Sequence, residues 1–168
     1  MTRYDGKIHV YEHQYYLHDS VQTATPPYRL DDTGLARFAE DGGIQVISGA
    51  NTGSLAMSVD LVEAAPPVPF DDWDEIVEVS YATTTGDAQL LGWPATPQRW
   101  LPAISHAGPG SYRLRFHARD RDDPRNARPF EIVEAHHLAV WPGPPAPTVA
   151  HKYTDATGRY WRSIRDTR

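Results

Sequence analysis

The stretch Tyr112-Arg113-Leu114-Arg115-Phe116-His117-Ala118-Arg119 decides the reading of the fold. Successive side chains of an extended chain point to opposite faces, so Tyr112, Leu114, Phe116 and Ala118 share one side and Arg113, Arg115, His117 and Arg119 the other. One face is apolar and the other is charged, the pattern of a strand with one buried and one solvated side. Ser54 to Val62 repeats it, with Leu55, Met57, Val59 and Leu61 inward against Ser58 and Asp60. Trp73 to Tyr81 does the same, with Val77, Val79 and Tyr81 opposite Asp74, Glu78 and Ser80.

Working outward, Ile8–Tyr16, Gly43–Gly49, Ala88–Trp93, Trp100–Ile104 and Ile132–Trp141 complete a set of seven or eight short strands. Most are bounded by Gly, Pro, Asn or Asp, which favour turns. Ala50-Asn51-Thr52-Gly53 reads as the turn of a hairpin between the Gly43 and Ser54 strands, since Asn and Gly tolerate positive φ. Asp31 to Glu40 is the only segment with helical features, a capping Asp or Thr followed by Leu35 and Phe38 three apart. Nothing between strands is long and periodic enough for a crossover helix, so the expected fold is all-β: an antiparallel, jelly-roll-like β-sandwich with one short helix. Residues 1–142 are expected to form that domain, and residues 143–168 a proline-rich exit followed by a basic tail.

The chain of 168 residues supports one core,. It contains no cysteine, which removes disulfide and thiolate chemistry,. No run approaches the length of a membrane span and no apolar leader opens the chain, so a cytoplasmic, soluble protein is expected. Residues 1–150 carry eleven Arg or Lys against twenty Asp or Glu, whereas residues 151–168 carry five against two. An acidic body repels nucleic acid phosphates and suits a basic partner.

Neither a G-x-S-x-G elbow nor a phosphate-cradling glycine loop is present, so the chain reads as a binding protein rather than an enzyme, with no cofactor expected. The run Phe70-Asp71-Asp72-Trp73-Asp74-Glu75 packs carboxylates around two aromatics and is the candidate partner-binding site, with Asp71, Asp72, Trp73, Asp74 and Glu75 as its contacts,. An alternative is a small-ligand or metal-binding sandwich, with an enzymatic variant of that reading. If the Tyr112 and Ile132 strands pair, His117 falls opposite positions 135 to 137, and His117, Glu134, His136 and His137 become candidate metal ligands,. His9 and His13, four apart on a strand, are about 13 Å apart and read as a polar face. Asp120-Arg121-Asp122-Asp123-Pro124-Arg125-Asn126 lacks the Gly and terminal Glu of a calcium loop and reads as a solvated turn.

The order of short motifs resembles the competence protein J family. It is carried by His13-Gln14-Tyr15, Thr25-Pro26-Pro27, the segment ending Asp41-Gly42-Gly43-Ile44, Asn51-Thr52-Gly53, Pro109-Gly110-Ser111-Tyr112-Arg113-Leu114 and Leu138-Ala139-Val140-Trp141, together spanning roughly residues 8–142. The family's name-giving member inhibits a DNA-entry nuclease. The resemblance therefore implies a small β-rich inhibitor or immunity-type protein whose partner is another protein, a nuclease or toxin, and not nucleic acid or membrane. Open sheet edges leave a dimer possible.

Overall fold

The computed structural model describes residues 1–19, 33–38, 43–128 and 130–165. Eleven strands form one mixed sheet curled into a half-barrel: β1 (Thr2–Tyr11), β2 (Gln14–Asp19), β3 (Ala36–Phe38), β4 (Ile44–Ile47), β5 (Thr52–Leu61), β6 (Glu75–Thr83), β7 (Ala88–Gly92), β8 (Thr96–Pro97), β9 (Gly110–Arg119), β10 (Ala135–Pro142) and β11 (Val149–Tyr153). Helix α1 (Ala156–Arg165) closes the chain. The main path runs β11-β6-β9-β10-β5-β1-β2-β4-β3, with β7 pairing β2 and β8 pairing β7.

The sheet is mostly β but is not the antiparallel sandwich that alternation implied. β10 runs parallel to β5, from Ala135 opposite Ala56 to Val140 opposite Leu61, while the remaining pairs are antiparallel. Alternation reports which side of a strand is buried and is silent on the direction of its neighbour. The two halves are continuous through the corner between β1 and β2, where Glu12 and His13 adopt positive φ of 52° and 63° and only Tyr11 and Gln14 pair. Ile8–Tyr16 is thus two strands that fold over each other, with Ile8 and Val10 packing in the same core as Tyr15 and Leu17.

Three further expectations are corrected. Asn51-Thr52-Gly53 is no hairpin: β4 pairs β2 and β3, while β5 crosses over to lie between β1 and β10. Among the described residues the one α-helix is α1, whereas the segment expected as a helix, 31–40, contains β3. There Thr33 Oγ1 accepts from the amides of Leu35 and Ala36, at 3.2 and 2.9 Å, and turns the chain into the strand. A three-residue apolar spacing carries too few helical bonds to nucleate against that pairing. Trp100–Ile104 is an irregular segment with Leu101 and Ile104 in the core. Of the motifs quoted above, Thr25-Pro26-Pro27 and Asp41-Gly42 lie outside the described residues, as do Asp31, Asp32, Ala39 and Glu40.

The inward faces behave as read. Leu114, Phe116, Leu55, Val59, Val77, Val79, Leu138 and Val140 are wholly buried in one cluster. The C-terminal segment joins the same body: β11 pairs with β6, and Asp155 at the start of α1 is buried against Arg121.

Candidate functional site

Of the charged face of β9, Arg119 is exposed but the rest is not solvated. Arg113, Arg115 and His117 are 5, 3 and 1% exposed, because two proline-rich segments cross above them. Arg115 donates to the carbonyls of Pro66 and Pro67, at 2.8 and 3.4 Å, and Arg113 donates to those of Ala146 and Pro147, at 2.9 and 3.1 Å. Proline has no amide to offer a sheet ladder, so segments such as these present carbonyls, and guanidinium donors suit them. Glu78 on β6, opposite Arg115, accepts from both arginines and from His151 of β11. Burial alone would raise the Glu78 carboxyl, yet the hydrogen bonds from His151, Arg113 and Arg115 outweigh it and hold it below its ordinary range,. The partners of Arg113 and Arg115 are thus Glu78, Ser80 and backbone carbonyls.

Beside this ladder lies a cleft of about 280 Å³ between the Pro66–Trp73 segment and the outer face of β1, β5, β9 and β10. His137 and His117 are direct partners across β10 and β9, with ring centroids 4.9 Å apart, as the pairing of those strands predicts. Trp73 lies over both, at 5.9 Å from His137 and 5.6 Å from His117, and the Arg119 guanidinium sits 4.8 Å above the indole. His137 Nδ1 is 2.7 Å from Ser58 Oγ, and its Nε2 is 3.4 Å from Asp60 Oδ2. Arg3 clamps Asp60 with two bonds, of 2.7 and 2.9 Å, and this lowers the Asp60 carboxyl. Burial lowers both imidazoles, His117 to about 3, so the His117 ring is neutral near pH 7. Ser58, His137 and Asp60 have the composition of a hydrolytic triad. Ser58 lies within a regular strand instead of an exposed turn, however, and Asp60 is already neutralised by Arg3, so the arrangement is that of a polar ladder,.

The four candidate metal ligands do not converge. β10 alternates, placing His137 beside His117 on the outer face and His136 on the core side, where Tyr15 Oη is 2.7 Å from Nδ1 and Glu134 Oε2 is 2.5 Å from Nε2,. The Glu134 carboxylate also accepts from the amides of Gly49 and Ala50 at 2.9 Å. Among the described residues, no group of three or more His, Asp or Glu is placed to hold a metal ion.

The acidic run divides in the same way. Asp71 and Asp72 are exposed, beside a Phe70 that is 50% exposed, while Trp73 is half-buried as a wall of the cleft. Asp74 accepts from the Asp120 amide at 3.0 Å, and Glu75 is wholly buried under α1. Sequence reasoning had marked Ser58 and Asp60 as outward-facing but missed that they and Arg3 meet the two imidazoles. That neighbourhood follows from β5 lying between β1 and β10, which no local pattern announces.

A curled, mixed β-sheet with a roofed polar cleft on its outer face is thus the class of architecture this chain adopts. No protein-family model matches the chain, and no curated protein matches it in sequence. Among solved structures, the fold is similar to that of ComJ from Bacillus subtilis, an inhibitor of the DNA-degrading activity of NucA. The TM-score is 0.51 and the identity 13%, over 83% of this chain and 95% of that one. A protein described as crocagin biosynthetic gene J aligns with a TM-score of 0.49 and 14% identity, over 86% of this chain and the whole of its own. The resemblance read from the sequence therefore recurs in three dimensions. Among the described residues, no helix is long and apolar enough to cross a membrane.

Proposed function

We propose that this chain is an inhibitor-type protein that binds and neutralises a basic enzyme such as a nuclease. The observation that carries the reading is the fold shared with a nuclease inhibitor over 83% of this chain and 95% of that one. The surface supports it: Asp71 and Asp72 are exposed beside Phe70 on a segment pinned to the sheet by Arg115 and by the Lys152 ammonium, which donates to the Phe70 carbonyl at 2.5 Å. An exposed aromatic followed by two carboxylates complements a substrate cleft built for phosphates. Asp71, Asp72 and Trp73 are the contact residues in this reading, and Asp74 and Glu75 hold the segment in place.

The test is inhibition of DNA degradation by a panel of basic nucleases, with affinity measured across salt concentrations. A nanomolar complex is expected, weakened by salt and by the pair Asp71→Lys and Asp72→Lys. Unchanged affinity and salt dependence in that double variant, or no inhibition by the wild-type chain, overturns the reading.

A further inference from the structure

His117 carries a vacancy that the strand ladder does not explain. Its Nδ1 lies 2.9 Å from the His137 carbonyl and must donate to it, which leaves Nε2 as a bare lone pair on a neutral ring,. Nε2 is shielded from water and has no hydrogen-bond partner among the described residues. A buried acceptor left unpaired is costly, and native proteins keep few of them. The neighbouring polar groups are already engaged: Ser58 with His137, Asp60 with Arg3, and Arg115 with Glu78. Besides the exposed Asp72, the exception is Arg119, which is exposed and stacks on Trp73, with no carboxylate partner among the described residues. It stands two residues along the same face of β9 from His117, about 7 Å away. Trp73 touches both His117 and the Arg119 guanidinium, and Pro66 and Pro67 line the same cleft.

We propose that this cleft binds a small aromatic carboxylate that also carries an N–H or O–H donor, its carboxylate on Arg119 and its donor on His117 Nε2. The aromatic ring fits against Trp73 and the prolines, where flat apolar faces pack well. The cleft of about 280 Å³ suits a metabolite of one ring rather than a dinucleotide,. Entry requires the Trp73 indole to tilt away from His117, a side-chain motion opposed by its stacking on His137 and by the Arg119 guanidinium above it. Asp72 lines the same cleft and opposes an incoming anion. The cleft shares Asp72 and Trp73 with the proposed inhibitor surface, but its ligand is argued without that reading.

The experiment is a titration of the full chain with 4-hydroxybenzoate and with benzoate, read by tryptophan fluorescence and by the imidazole ¹⁵N resonances. Saturable one-to-one binding of 4-hydroxybenzoate is expected, with benzoate weaker by about tenfold or more because it lacks the donor. The His117 Nε2 resonance moves only with the hydroxylated acid. Arg119→Gln weakens both acids by about tenfold or more. Asp72→Lys tightens them while weakening an enzyme partner, so the two readings fail separately. Because the buried His117 is read by its own resonance in the wild-type chain, no replacement that endangers folding is needed. No saturation up to roughly 10 mM, equal affinity for the two acids, or an unmoved Nε2 resonance overturns the proposal.

Discussion

Arg121 grips Asp155 through two buried bonds, Nε to Oδ2 at 2.7 Å and Nη2 to Oδ1 at 2.9 Å, fastening the start of α1 to the loop after β9. The same guanidinium donates to the carbonyls of Gly34 and Ile47, at 2.9 and 3.1 Å, and Asp155 accepts from the Gly158 amide at 2.7 Å. Removing one member of a buried pair leaves its partner charged and unsolvated. Asp155→Ala is therefore expected to cost about 3–5 kcal/mol in urea unfolding. A loss below about 1 kcal/mol would show that α1 contributes little to the body.

Glu75 faces that pair, with the Asp155 amide donating to its Oε1 at 3.0 Å. Burial, and then the Asp155 carboxylate, push its carboxyl up to about 8. The folded chain holds this proton between about pH 4.5 and 8 while the unfolded chain releases it, so stability from this group falls as pH rises through that window,. Glu75→Gln should remove the slope, making the variant gain on the wild type from pH 5 to pH 8 in denaturant titrations. Parallel pH profiles for the two proteins would contradict the linkage.

Glu78 binds two buried guanidiniums on the outer face. Glu78→Gln keeps the shape and removes the charge that balances them, so a loss of about 3 kcal/mol is expected. Arg113 and Arg115 also hold the two proline segments through carbonyls, so faster protease cleavage within residues 62–74 and 142–148 should accompany it,.

Tyr15 Oη ends the buried chain through His136 to Glu134. Tyr15→Phe leaves the His136 Nδ1 without its partner and should cost about 1–2 kcal/mol, measured by thermal or urea unfolding.

Gly49 passes so close to the loop after β9 that a Cβ would lie 2.0 Å from the Arg121 carbonyl oxygen. Gly49→Ala must move backbone on one side or the other and also disturbs the amide bonds to Glu134, so a loss of about 3 kcal/mol is expected,. Gly143→Ala, whose Cβ would come no nearer than 3.4 Å to a neighbour, at Arg113 Cγ, is the mild control.

Much of this protein was legible from the period-two pattern. The inward residues of β5, β6 and β9 are the core, and His117 meets His137 across two antiparallel strands as their spacing implied. The cleft was not legible, because Arg3, Ser58, His137, His117 and Trp73 come from five separate segments. Neither was the fate of the carboxylates in 120–123: Asp122 accepts from the first amides of α1, and Asp123 caps a short turn at Pro124–Ala127. Seen along the chain they are simply acidic.

By itself the sequence determined which side of each long strand is apolar, since side-chain direction alternates whatever lies next door, and with it a β-rich body around one core. Tertiary structure alone decided the parallel pairing of β5 with β10, the corner at Glu12 and His13, and the burial of the arginine face beneath two proline segments. Those outcomes depend on which strands become neighbours and on what crosses above them. Such contacts join residues far apart in sequence, and local periodicity carries no record of them.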